Sequence, residues 1–347
     1  MTSKISRRTL LGGLVAASLA LSVAPVAAQS PAPSAAPALV TLGGTLNIDF
    51  ATYNPLSLII KQQGWLEAAL ADQGISVTWV QSAGSNKANE ALRAGAIDVG
   101  STAGSAALLA RSNGLPIQVI DIYTQPEWAA IVIPAGSPIT SVADLKGKNI
   151  AVTKGTDPYF FLLQALDEAG VSINDVTIQN LQHADGWAAL QNGAVDAWSG
   201  LDPIMAGAEA AGASLLYRNI DFLSYGFLNA TESFIQTKPD VAQTVVDAYE
   251  KARAWAIANP EETAALLAEV SGLDVAIATR VLTERTNLAV DNVPGQTQID
   301  VLSKIGPVFV ESGDVPSQDL IDAALATIIN ATFAVAADAT RIPDTAP

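Results

Sequence analysis

Four loops carry the residue types that could recognise a small molecule: Thr52-Tyr53-Asn54-Pro55, Ser101-Thr102-Ala103-Gly104-Ser105, Gly155-Thr156-Asp157-Pro158-Tyr159 and Ser199-Gly200-Leu201-Asp202-Pro203. Each follows a short apolar run and leads into a helical pattern. Hydroxyls and free backbone N–H groups at helix starts make a seat for an anion. Small side chains let a ligand approach the backbone. Taken singly, each loop fits an ordinary turn and helix cap equally well; their recurrence in register argues for a shared binding role. Covalent and acid–base chemistry has little to work with. There is no GxSxG, no HExxH, no Walker A and no strand-linked GxGxxG. Cysteine is absent, and the only histidine, His183, reads as a surface or loop residue. No acidic cluster has calcium-loop spacing. The expectation is a binding protein with no catalytic residue, cofactor or metal.

Those loops need strands and helices to hold them. Short apolar runs at 45–50, 77–80, 97–99 and 117–120 read as strands, with helical spacing at 56–73, 86–93 and 105–112 between them. The pattern restarts with strands at 129–133, 149–153, 176–179 and 194–197 and helices at 159–169 and 185–191. Such alternation predicts βαβ units and a mainly parallel sheet. The two halves share one unit, a helix stopped by glycine and followed by an Asp-bearing strand: Glu90 to Val99 parallels Trp187 to Ala197. From Pro239 on, the spacing is helical at 241–258, 261–270, 275–283, 296–312 and 317–333. In open α/β sheets ligands sit at the carboxyl ends of strands, which is where the four loops fall.

The ends and the composition fix the setting. Arg7-Arg8 precedes an apolar run over 10–23 that closes in Val26-Ala27-Ala28. This reads as a twin-arginine signal peptide over 1–28, and the run is too short for a comfortable membrane span. A Pro/Ala-rich linker follows at 29–41. Removal of the signal leaves 15 Lys and Arg against 34 Asp and Glu, a net charge of −19. Such a chain is a poor partner for nucleic acid.

The stretch from Ser137 to Gly155, SPITSVADLKGKNIAVTKG, resembles the periplasmic binding proteins of sulfonate, taurine and nitrate ABC importers, a family that includes thiamine-pyrimidine binders. The unit from Glu90 to Asp98 and the run Gly193-Ala194-Val195-Asp196-Ala197-Trp198 with Asp202-Pro203 are similar to it as well. The likeness covers roughly residues 44–270. It implies an α/β, two-lobed periplasmic binding protein fold (type II), with parallel-rich sheets and a helical C-terminal extension. Lobe 1 would comprise 42–126 and 223–340, lobe 2 would comprise 127–222, and 341–347 would be a tail. It further implies an exported, monomeric solute receptor that hands an organic sulfonate or taurine-like cargo to an inner-membrane ABC permease. Two strands would cross between the lobes. Tyr53, Asn54, Thr102, Ser105, Thr156, Asp157 and Asp202 would face the cleft. Glu127 and Trp128 would lie near the first crossing and Tyr225 near the second, with Tyr159 offering a stacking wall.

The departures bear on cargo. Sulfonate binders of this family usually carry a Gly-Ser-Ser-type loop where this chain has Gly155-Thr156-Asp157-Pro158. Asp157 fits a helix N-cap, with Pro158 first in the helix. Turned into the cleft, it would take the donors an anion needs and repel a sulfonate. Glu127 and Asp202 add acid, and no arginine falls in the loops. An amine-bearing or heterocyclic, pyrimidine-like cargo is the alternative, as is service to a membrane sensor instead of a permease. Trp198 and Tyr159 read as partly core, and Trp187 as core.

Overall fold

The computed structural model describes residues 43–344. The signal at 1–28, the linker at 29–41 and the last three residues lie outside them.

Local chemistry sets the first elements. β1 (Gly44–Phe50) turns into α1 (Pro55–Gln63), whose cap is Asn54: its Oδ1 accepts from Ser57 N at 3.3 Å. Pro55 stands where a missing N–H costs nothing. Gly64, at φ 65°, ends α1, so the one helix expected over 56–73 is broken, with α2 (Trp65–Leu70) after the glycine. Next come β2 (Ile75–Gln81), α3 (Ser85–Arg93), β3 (Val99–Ala103), α4 (Gly104–Ser112) and β4 (Ile117–Pro126). β4 runs through Glu127 and Trp128 into β5 (Ala129–Ile133). There follow β6 (Asn149–Val152), α5 (Asp157–Glu168), β7 (Thr177–Asn180), α6 (His183–Gln191), β8 (Ala197–Leu201), α7 (Ile204–Ala210) and β9 (Ser214–Tyr217). The chain returns through Leu223–Tyr225 into β10 (Gly226–Thr231).

The result is a two-lobed α/β fold with one sheet per lobe. The first sheet runs β11-β4-β10-β3-β1-β2 and the second β7-β6-β8-β5-β9. In the first, β2, β1 and β3 are parallel and β10 is antiparallel between β3 and β4. In the second, β7, β6 and β8 are parallel and β5 is antiparallel between β8 and β9. The repeated unit has one physical job in both. Asp98 accepts from Asn47 N at 2.9 Å and returns its own N–H to Asn47 O; Asp196 does the same with Asn149. Each Asp thus pins a neighbouring parallel strand, at the middle of β1 and at the first residue of β6. It lies just before its strand, so β3 and β8 begin later than the expected 97–99 and 194–197.

Trp198 is fully buried on β8. Gly186 of α6 lets it fit: a Cβ there would meet the Trp198 indole at 2.7 Å. Burial of one large aromatic contributes about 2–3 kcal/mol.

The C-terminal extension is α8 (Glu232–Thr237), α9 (Pro239–Ala258), α10 (Pro260–Ser271), α11 (Val275–Arg280), the short β11 (Thr286–Asn287), α12 (Gln296–Glu311), α13 (Gln318–Leu325) and α14 (Thr332–Val335). The single helix expected over 317–333 is interrupted because Ile328 and Asn330 exchange backbone hydrogen bonds with Val119 of β4. The extension also reaches lobe 2, where Phe309 of α12 packs edge-on against Phe160 of α5 at 4.3 Å. The start of the segment expected as a tail is tied down: Ile342 is buried, Arg341 pairs with Asp247 at 3.1 Å and Lys251 with Asp344 at 2.7 Å. Among the described residues no helix is long and apolar enough to cross a membrane.

Candidate functional site

Strand carboxyl ends from both sheets meet between the lobes, and two unlike regions lie there. The first is buried and centred on Asp157. Thr156 takes the N-cap position of α5, so Asp157 is the first helical residue and caps nothing in its own helix. Its carboxylate turns to lobe 1 and to the second crossing. Oδ1 accepts from Ser105 Oγ at 2.5 Å and Ser224 Oγ at 2.7 Å; Oδ2 accepts from Trp128 Nε1 at 2.8 Å and Ser224 N at 3.2 Å. Ser105 N in turn donates to Ser224 Oγ at 3.0 Å. Burial pushes the Asp157 carboxyl above its ordinary range, and these four hydrogen bonds oppose that rise by favouring the ionised form.

The second region is a groove of about 470 Å³, within the usual range for small-molecule sites. Thr52 and Ser82 come from the ends of β1 and β2, and Gln182 and His183 from the end of β7. Trp187 on α6 and Leu273 after α10 complete its walls. His183 corrects the surface expectation: it is buried in the first turn of α6, and burial lowers its ring to about 4. Its Nε2 and the Oε1 of Gln182 are buried without partners. Trp187, expected in the core, is half-buried on the groove and tilted 6.1 Å from Trp198. A smaller cavity, with room for about one water, adjoins Tyr53, Trp128, Asp202 and Arg285.

Of the residues picked from sequence, the structure brings Ser105, Trp128 and Asp157 together, with Tyr53 edge-on to Trp128 at 6.1 Å and bonded to Ser101 O. Others lie in structural roles. Asn54 is fully buried, capping α1 and donating to Tyr249 Oη at 3.0 Å. Thr102 is buried within lobe 1, where it accepts from Asn229 at 2.8 Å. Thr156 donates to Thr153 O in its own loop. Tyr159 packs on Phe160 in the core. Tyr225 sits in a separate depression beside Gln125 and Asn287.

The acid count near the cleft also changes. Glu127 pairs with Arg218 at 2.7 Å, and Asp202 with Arg285 at 3.2 Å. Arg285 and Arg280 also hold Glu209 of α7, linking the extension to lobe 2. Burial lifts Asp202 to about 6 against the pull of Arg285. Arg285 lies 83 positions from Asp202, so no local pattern revealed the pair. Ser224 was missed for the same reason, as was the strand β10 that follows it. Among the described residues, no group of three acids or histidines could hold a metal ion.

Residues 57–263 match the family described as NMT1/THI5 like. An Escherichia coli protein named for aliphatic sulfonate binding is 29% identical over 264 residues, covering 75% of this chain and 82% of that protein. A Bacillus subtilis protein of the same name is 33% identical over 229 residues, covering 65% and 69%. Among solved structures, the alkanesulfonate-binding protein SsuA from Xanthomonas axonopodis pv. citri, bound to MOPS, matches with a TM-score of 0.73. It is 27% identical and covers 81% of this chain and 97% of that one.

Proposed function

Because the chain belongs to the NMT1/THI5-like family, we propose that it is the solute-binding receptor of an ABC importer, working in the periplasm as a monomer. It captures a small organic solute between its lobes and presents it to an inner-membrane permease. Catalysis plays no part in this reading: the Escherichia coli and Bacillus subtilis relatives are named as binding proteins. Export by the twin-arginine route rests on Arg7, Arg8 and the apolar run after them.

The observation that carries the reading is the groove formed by strand ends of both sheets, into which a solute can be enclosed as the lobes close. For cargo, the relatives point to an organic sulfonate or taurine-like solute. Asp157 favours the second reading, an amine-bearing or heterocyclic solute, because it occupies four converging donors.

The purified mature chain is expected to gain about 3 kcal/mol of stability at a hundredfold excess of its cargo over Kd. A thermal-shift panel of taurine, alkyl sulfonates, nitrate, amino acids and pyrimidines measures this. No shift with any class would remove the receptor reading.

A further inference from the structure

We propose that the cleft takes a solute whose polar head donates hydrogen bonds, an ammonium or the N–H of a heterocycle, received by His183 and Gln182, and that Asp157 excludes a purely anionic head. This rests on the receptor reading above and narrows its cargo.

The groove holds buried acceptors that no protein donor satisfies. Thr153 has one hydroxyl proton, which goes to Leu181 O at 2.7 Å. Its oxygen therefore accepts where it meets His183 Nδ1 at 3.2 Å, and Nδ1 carries the ring proton. Nε2 is left as a bare lone pair, buried and unpartnered, like Gln182 Oε1 beside it in sequence. A third unpartnered acceptor, Asn86 Oδ1 in lobe 1, lies by the same glycine, Gly84, as His183 Nε2. A Cβ on Gly84 would lie 2.9 Å from Asn86 Oδ1 and 3.0 Å from His183 Nε2. Buried acceptors left unpaired are costly, and a donor entering the groove removes that cost. Trp187 supplies an aromatic wall for the rest of the molecule.

The Asp157 site shows the opposite balance. Every donor converging there already holds a carboxylate oxygen. An anionic head seeking those donors would have to displace Asp157 and then sit beside a buried carboxylate whose partners are all neutral hydrogen-bond donors.

His183 is the only histidine, so an untagged, ¹⁵N-histidine-labelled mature chain gives an imidazole spectrum that needs no assignment by mutation. Butylammonium, cytosine and 1-butanesulfonate serve as probes. The expected result is an Nε2 resonance that moves on saturation with butylammonium or cytosine and stays fixed with butanesulfonate. Calorimetry on the same chain is expected to show donor-probe affinity at least tenfold weaker in His183→Leu, and butanesulfonate binding appearing only in Asp157→Ser. An Nε2 signal that ignores both donor probes overturns the proposal. So does butanesulfonate binding to the native chain that Asp157→Ser leaves unchanged, although that result would keep the receptor reading. Silence from the whole solute panel would remove both.

Discussion

The two lobes open equivalent helices in different ways. Register aligns Asn47 of β1 with Asn149 of β6, since each is held by the Asp of the repeated unit. The helices that follow, α1 and α5, start with proline in their first positions. In lobe 1 the polar side chain at the start, Asn54, serves its own helix and the buried Tyr249. In lobe 2 the polar side chain, Asp157, serves the other lobe and the crossing strand. A carboxylate one residue past the cap cannot reach its own helix's free N–H groups as a cap does, so it is available for partners across the cleft. The lobes also differ one step along the strand. Asp49 lies fully buried on β1 where β6 has Ala151, so only lobe 1 holds an ionisable group at that strand position.

The sharpest test of this contrast is Asp157→Ala beside Asn54→Ala. The first leaves Ser105, Ser224 and Trp128 without their acceptor, at about 1–3 kcal/mol for each orphaned group. It is expected to cost about 4 kcal/mol in the denaturant midpoint and to enlarge the radius of gyration in solution scattering as the lobes part. The second is expected to cost about 1–2 kcal/mol, the usual loss of a cap, with no change in radius. Equal losses with equal radii would erase the distinction between the two helix starts.

Asp49 supplies the next largest effect. Burial raises its carboxyl from 3.8 to about 7, against hydrogen bonds from Ser101 and Ser82. Between those values the folded chain keeps a proton that the unfolded chain has released. The group therefore favours folding at low pH, and that contribution is lost as pH rises through about 7. The full span is at most about 4 kcal/mol, less what the unfolded ensemble shares. Stability measured from pH 4.5 to 8 should fall less steeply in Asp49→Asn than in the native chain. An identical slope would place the proton elsewhere.

The smallest effect concerns what the lobes have in common. Asp98→Ala and Asp196→Ala each remove a carboxylate bond to a strand N–H, at 2.9 and 2.8 Å, and Asp98→Ala also removes a longer one of 3.3 Å from Asn47 Nδ2. Each is expected to cost about 1 kcal/mol, matched within error. A large difference between them would show that the repeated unit has diverged in its mechanical role.

Much of the framework is legible in sequence because its causes are local. Gly95 and Gly193 stop helices at positive φ, and Pro55 and Pro158 start them. Strand starts were less legible. VGSTA at β3 and AWSGL at β8 are buried along their whole length. A strand covered on both faces shows no alternation to read.

By itself the sequence determined the α/β alternation, the repeated Asp-bearing unit, the absence of cysteine and of the common catalytic motifs, and the presence of an acid at position 157. Only the tertiary structure decided what that acid does. Ser105, Trp128, Asp157 and Ser224 span 119 positions of chain, and hydrogen bonds form between neighbours in space. The same holds for His183, whose burial and bare Nε2 depend on a threonine 30 positions away and a glycine in the opposite lobe. Periodicity and capping operate over a few residues. The balance of donors and acceptors in a cleft depends on which distant groups the closed fold brings within about 3 Å.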